Sequence, residues 1–148
     1  MHGSVEVEFA KRGTFVFAGP LLVVGVIVGL EPSAGYQERH GLTAEELCSK
    51  RPGLIHAKVT LHGETGAWSN RTGFDETAGA VTGVFALEGT PNNPQLPPIR
   101  VVCDYIASWL TTASIMSALR RRAVEGGSYR VVVSLTRVTM VTFSRHFR

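Results

Sequence analysis

Apolar and polar positions alternate between two periods along this chain, and the alternation predicts a mixed α/β architecture. The first strongly apolar stretch, Thr14 to Leu30, is rich in β-branched residues and interrupted by Gly19, Pro20, Gly25 and Gly29. A membrane span needs about 20 uninterrupted apolar residues. A buried parallel strand reads as a shorter continuous apolar run, and the segment Leu21 to Leu30 is expected to be one. Thr43-Ala-Glu-Glu places a threonine three residues ahead of Glu46, the pattern of a helix N-terminus. That helix is expected to end near Lys50, ahead of Pro52-Gly53. Leu54 to Leu61 then reads as a strand, giving the helix–turn–strand order of an α/β unit.

His62 to Gly73 is polar and glycine-rich and follows that strand directly. Ligands of open α/β sheets bind beyond the carboxyl ends of strands, so this loop lies on the expected functional edge. Phe74 to Leu87 is predicted helical, with Gly89 ending it, and the proline-rich Thr90 to Pro98 is an extended loop. Ile99 to Cys103 is predicted as a short strand, followed by a helix from Tyr105 to about Val124. Ile106, Trp109, Leu110, Ala113 and Met116 fall at helical spacing, which marks them as the core face. Arg120 to Arg122 suit the carboxyl end of the helix dipole, Gly126-Gly127 stops the helix, and Tyr129 to Leu135 is a further strand. The fold class is α/β: an open sheet with flanking helices, in a single domain over 1–148.

Composition narrows the function classes. A net charge of +3 without a basic stripe interleaved with aromatics argues against nucleic acid as partner. The five histidines lack metal-ligand spacing, so no metal site is expected. Cys48 and Cys103 form no pair motif and suit free thiols in a reducing cytoplasm. Ser69 and Ser134 lack a nucleophile elbow, His62 reads as a solvated loop residue, and Trp68 packs on the sheet or stacks on a substrate.

Two acids carry the chemical interest. Asp104 stands between the expected strand and the long helix, where a carboxylate either caps the helix or serves as a nucleophile beside unpaired N–H groups. Asp75, in Gly73-Phe74-Asp75, starts a helix on the same edge, and position alone favours an N-cap.

The ordered segments Tyr36 to Leu42, Arg51 to His56, Gly63 to Gly66, Gly73 to Asp75, Ala78 to Gly83, Pro97 to Val101, Cys103 to Tyr105 and Gly126 to Leu135 resemble the family III CoA-transferases. The spacing of Asp75 and Asp104 resembles that of the family's two acidic positions. The resemblance implies a partial Rossmann-like open sheet with flanking helices, the central part of the family's large domain, over 36–135, with 1–34 of uncertain kinship and 136–148 a divergent tail. It also implies a ping-pong reaction through an aspartyl-CoA thioester, with Asp104 as nucleophile, Asp75 as supporting acid, and Arg39 and Tyr105 along the CoA path. CoA and acyl-CoA enter as substrates, with no permanently bound cofactor, and a carboxylic acid is the acceptor.

Racemases of the same superfamily have histidine where Phe74 stands, so transfer is favoured over racemisation. Family members are more than twice as long, with a second domain and a glycine-rich lid that have no counterpart here. Ser128-Tyr129 replaces a common Gly-Gln, and Val132 a common aspartate. The expected assembly is a homo-oligomer or a complex with a complementary subunit. The alternative is a truncated, inactive relative that binds CoA or serves as an assembly module. A membrane-attached protein using Thr14 to Leu30 is a third reading.

Overall fold

The computed structural model describes the backbone of Glu6–Ala10, Thr14–Ala18 and Val26–Leu30 and, in full, residues 35–143. Among the described residues, five strands form one sheet in sequential order: β1 (Glu6–Ala10), β2 (Thr14–Ala18), β3 (Val26–Leu30), β4 (Ile55–Thr60) and β5 (Tyr129–Ser134). β1–β2 and β2–β3 are antiparallel, whereas β3–β4 and β4–β5 are parallel. The apolar run from Thr14 to Leu30 thus supplies two strands, β2 and β3, where a single parallel strand was expected. No helix among the described residues is long and apolar enough to cross a membrane.

Two helical connections join the parallel strands. α1 (Tyr36–Arg39) and α2 (Ala44–Lys50) link β3 to β4. Thr43 caps α2 as its sequence predicts, accepting the Glu46 N–H at 3.3 Å. The longer connection from β4 to β5 contains α3 (Asp75–Thr82), α4 (Val84–Glu88) and α5 (Val102–Glu125). The expected helix over Phe74 to Leu87 is divided because Gly83 adopts φ +80°, a left-handed conformation that ends α3. After β5 comes α6 (Leu135–Phe143), which packs against α3 and α5 and takes up much of the segment read as a tail.

Two expectations about α5 are overturned. Ile99 to Cys103 forms no strand, and α5 begins at Val102. β5 pairs directly with β4, so the sheet has no vacant place between them, and Ile99 and Val101 are exposed. The core face is also different. Cys103, Ala107, Thr111 and Ala118 are buried, while Trp109 and Met116 are 75% and 65% exposed. Small side chains let α5 lie close on the sheet, and the large ones point away from it.

The main core joins Val59 and Leu61 with Ala78 of α3, Cys103 and Ala107 of α5, Val133 of β5 and Leu135 of α6. At the far end of α5, Arg122 donates to the Gly53 carbonyl at 2.7 Å, and the Gly53 N–H donates to Ser128 Oγ at 2.9 Å. These bonds tie the helix end to the turn that starts β4.

Candidate functional site

The two acids singled out in the sequence meet at one point. α5 has Val101 as its N-cap, and valine has no side-chain acceptor for the orphan N–H groups of the first turn. Asp75 supplies that acceptor from α3. Its Oδ2 accepts the Asp104 backbone N–H at 2.7 Å, across 29 residues of sequence. Asp75 is therefore not the N-cap of its own helix, a position held by Phe74. It is a cap provided to α5 by another helix.

Local sequence explains this geometry. A Cβ on Gly73 would lie 2.7 Å from Leu61 Cδ2 and 2.7 Å from Thr77 Oγ1, so only glycine permits the chain to pass so close to the core. The Phe74 N–H donates to Thr77 Oγ1 at 3.2 Å, and its ring is 78% exposed. Asp75 then turns inward and is only 2% exposed. Gly73→Ala is expected to cost ~1–3 kcal/mol through overpacking and to displace the start of α3, measured as a lower denaturant midpoint.

Burial raises the Asp75 pKa above the ordinary carboxylate range. The N–H groups of Asp104 and Cys103 oppose that rise, and the Glu76 carboxylate adds to it. The second oxygen, Oδ1, is buried without a hydrogen-bond partner. Asp104 lies in the first turn of α5, not at a strand end, and the residue is exposed. Partial desolvation of its carboxyl raises its pKa as well, with Asp75 and Glu76 adding like charge. Cys103, next to Asp104 on α5, is fully buried and presents no sulfur to solvent, and burial pushes its thiol pKa up.

Tyr105 follows Asp104 on α5 and is exposed, its N–H bonded to the Val101 carbonyl at 3.1 Å. Arg39 is on α1, outside the elements that hold Asp104. Its neighbours Gly35 and Glu38 line a polar cleft of about 280 Å³ with Lys58, Thr60, Gly63, Glu64, Ser69, Asn70 and Arg130. Glu64 pairs there with the buried Lys58 at 3.4 Å and with Arg130. Lys58 and Thr60 alternate with the core residues Ala57, Val59 and Leu61, which puts this cleft on the face of the sheet away from α5. Reading Leu54 to Leu61 simply as a strand did not bring out this cleft, although the polar alternation His56, Lys58, Thr60 marks that second face. Trp68 makes an edge contact with His62 and carries the Arg71 guanidinium over its ring. No metal-binding group of acids, histidines and cysteines occurs among the described residues.

Residues 26–147 match the family described as CoA-transferase family III. The chain belongs to the family III CoA-transferases. The alpha subunit of succinyl-CoA–L-malate CoA-transferase from Chloroflexus aurantiacus is 35% identical over 102 residues, covering 68% of this chain and 24% of that protein. A CaiB/BaiF family protein from Brucella suis superposes with a TM-score of 0.74 at 26% identity, over 81% of this chain and 32% of that one. Rv3272 from M. tuberculosis gives a TM-score of 0.74 at 26% identity, over 82% of this chain and 34% of that one. The chain spans about a quarter of the curated relative and about a third of the two solved family III structures. The family match includes β3, at the start of the parallel part of the sheet, and α6.

Proposed function

We propose that this chain carries the nucleophile of a reaction that moves CoA from an acyl-CoA to a carboxylic acid, and that the nucleophile is Asp104. The observation that carries the reading is the exposed Asp104 carboxylate in the first turn of a 24-residue helix, its N–H held by the buried Asp75. A carboxylate oxygen attacks the thioester carbonyl, and the C–S bond breaks to release CoA thiolate and leave a mixed anhydride. The thiolate attacks the aspartyl carbonyl, freeing the donor acid and forming an aspartyl-CoA thioester. The acceptor carboxylate attacks that thioester, giving a second anhydride and thiolate. Thiolate attack on the acceptor's acyl carbon yields the new acyl-CoA and restores Asp104. Each attack develops negative charge on a carbonyl oxygen, and the amino end of α5 offers a favourable dipole.

Tyr105, beside the nucleophile, and Arg39, beside the polar cleft, are proposed to contact CoA. The relative in Chloroflexus aurantiacus is named as an alpha subunit, which supports completion of the site by a complementary subunit or further copies of this chain. Free thiols at Cys48 and Cys103 suit a cytoplasmic setting.

The test is covalent trapping. The folded chain is incubated with an acyl-CoA, treated with hydroxylamine and mapped by mass spectrometry. A hydroxamate at Asp104 is expected; unmodified Asp104 at saturating acyl-CoA refutes the assignment. The exposed Trp109 and Met116 favour a second reading, an assembly module without turnover. That reading requires oligomers in light scattering and no adduct.

A further inference from the structure

We infer that Asp75 is a positioning residue for Asp104: from α3 it caps the first turn of α5 and holds the Asp104 carboxylate next to a second, buried carboxylate. The inference rests on the proposed role of Asp104 but adds a separate device to it. In this arrangement Asp75 touches no substrate. It acts on the nucleophile in two ways, through the backbone and through charge.

The backbone action follows from the cap. The Asp104 N–H is one of the donors that a helix start leaves without an intrahelical partner. Val101 has no side-chain acceptor for it, and Asp75 Oδ2 meets it at 2.7 Å. The register of the first turn, and with it the origin of the Asp104 side chain, is thereby fixed relative to α3. α3 is in turn fixed by the close passage of Gly73 over Leu61.

The charge action follows from burial. Asp75 is almost wholly enclosed and its Oδ1 has no partner, so little solvent screens its charge. From α5 it is faced by the Cys103 thiol and by the backbone N–H groups of Cys103 and Asp104, and Glu76 of its own helix adds like charge; with the Asp104 backbone 2.7 Å from its Oδ2, its charge acts on the Asp104 carboxyl one side chain away. α6 contributes Thr139, which bonds Cys103, and its charged residue, Arg137, is exposed. A negative charge at Asp75 disfavours a second one at Asp104. Ionising Asp75 keeps a proton on Asp104 to higher pH, so the attacking form of the nucleophile is governed by the residue behind it.

Asparagine at 75 separates the two actions. Its amide carbonyl can accept the Asp104 N–H, but it carries no charge. Alanine removes both. The measurements need no CoA: carboxyl-carbon NMR titration of Asp104, assigned through the Asp104→Asn variant, and amide hydrogen exchange at Asp104. In Asp75→Asn the Asp104 titration is expected to move to lower pH, while exchange stays within about threefold of the parent. In Asp75→Ala the titration moves likewise, and exchange at Asp104 rises about tenfold or more as the cap is lost. An unmoved Asp104 titration in Asp75→Asn overturns the electrostatic coupling. Unchanged exchange in a folded Asp75→Ala overturns the cap. Should Asp75→Ala not fold, the absence of a through-hydrogen-bond NMR coupling between the Asp104 amide nitrogen and the Asp75 carboxyl carbon in the parent chain overturns the cap. Trapping at Asp104 in the parent chain reads the transferase assignment independently, so one can fail while the other stands.

Discussion

Asp104→Asn is expected to abolish the proposed CoA transfer while leaving the fold as stable as the parent. Asparagine matches aspartate in shape but cannot form the anhydride, because its amide oxygen is no longer an anionic nucleophile. Loss of a covalent nucleophile removes the whole pathway, so the drop in acyl exchange should reach at least about 10³-fold. Stability should change little because Asp104 is exposed and its side chain caps nothing. The change even removes like charge from beside Asp75 and Glu76. A denaturation midpoint within ~0.5 kcal/mol of the parent is therefore expected. The pairing of lost exchange with retained stability distinguishes a nucleophile from a structural acid. Acyl exchange above a tenth of the parent in Asp104→Asn would mean that another group attacks the thioester. The pH profile has a set direction too. The raised Asp104 pKa leaves the carboxyl protonated, and so inert, to higher pH than an ordinary aspartate. Exchange should accordingly rise with pH through that raised pKa.

The positions of both acids were legible in the sequence, but their relation was not. Asp75 and Asp104 stood out because each precedes or opens a helical pattern, and the ordered motifs pointed to the family before any geometry was known. The bond from the Asp104 N–H to Asp75 joins residues far apart in the chain, and no local pattern records it. Read locally, Asp75 looked like the cap of its own helix. Its inward turn depends on the close passage at Gly73, which is a tertiary contact with Leu61. The misread strand at Ile99 to Cys103 has a similar cause. A short apolar run is compatible with either strand or helix, and what decides it is that β5 already occupies the place beside β4. The element order on either side, by contrast, was well marked. Thr43, Pro52-Gly53 and Gly126 punctuate the chain through their own backbone chemistry.

The core face of α5 was the other misreading, and it leads to a contrast in stability. Helical periodicity with large apolar residues selected Trp109 and Met116, yet the buried positions are Cys103, Ala107, Thr111 and Ala118. A helix that contributes such small side chains leaves the bulk of the apolar packing to its neighbours, and β4 supplies much of it. Every residue of β4 is buried, and Ile55 has no exposed surface. Ile55 also opens β4, the strand paired on both sides in the parallel part of the sheet, opposite Val26 of β3 and Tyr129 of β5. Ile55→Ala is therefore expected to cost ~2–5 kcal/mol, the range for truncating a large aliphatic side chain in a core. Trp109→Gln and Met116→Gln should each stay within ~0.5 kcal/mol, because the lost side chains already face solvent and glutamine is a good helix former. Urea denaturation of the three variants would measure the contrast directly. A large loss in Trp109→Gln would show that this face is covered in solution, as the assembly reading requires. A small loss there beside a large one in Ile55→Ala places the stabilising contacts at the sheet, behind the helix that presents Asp104.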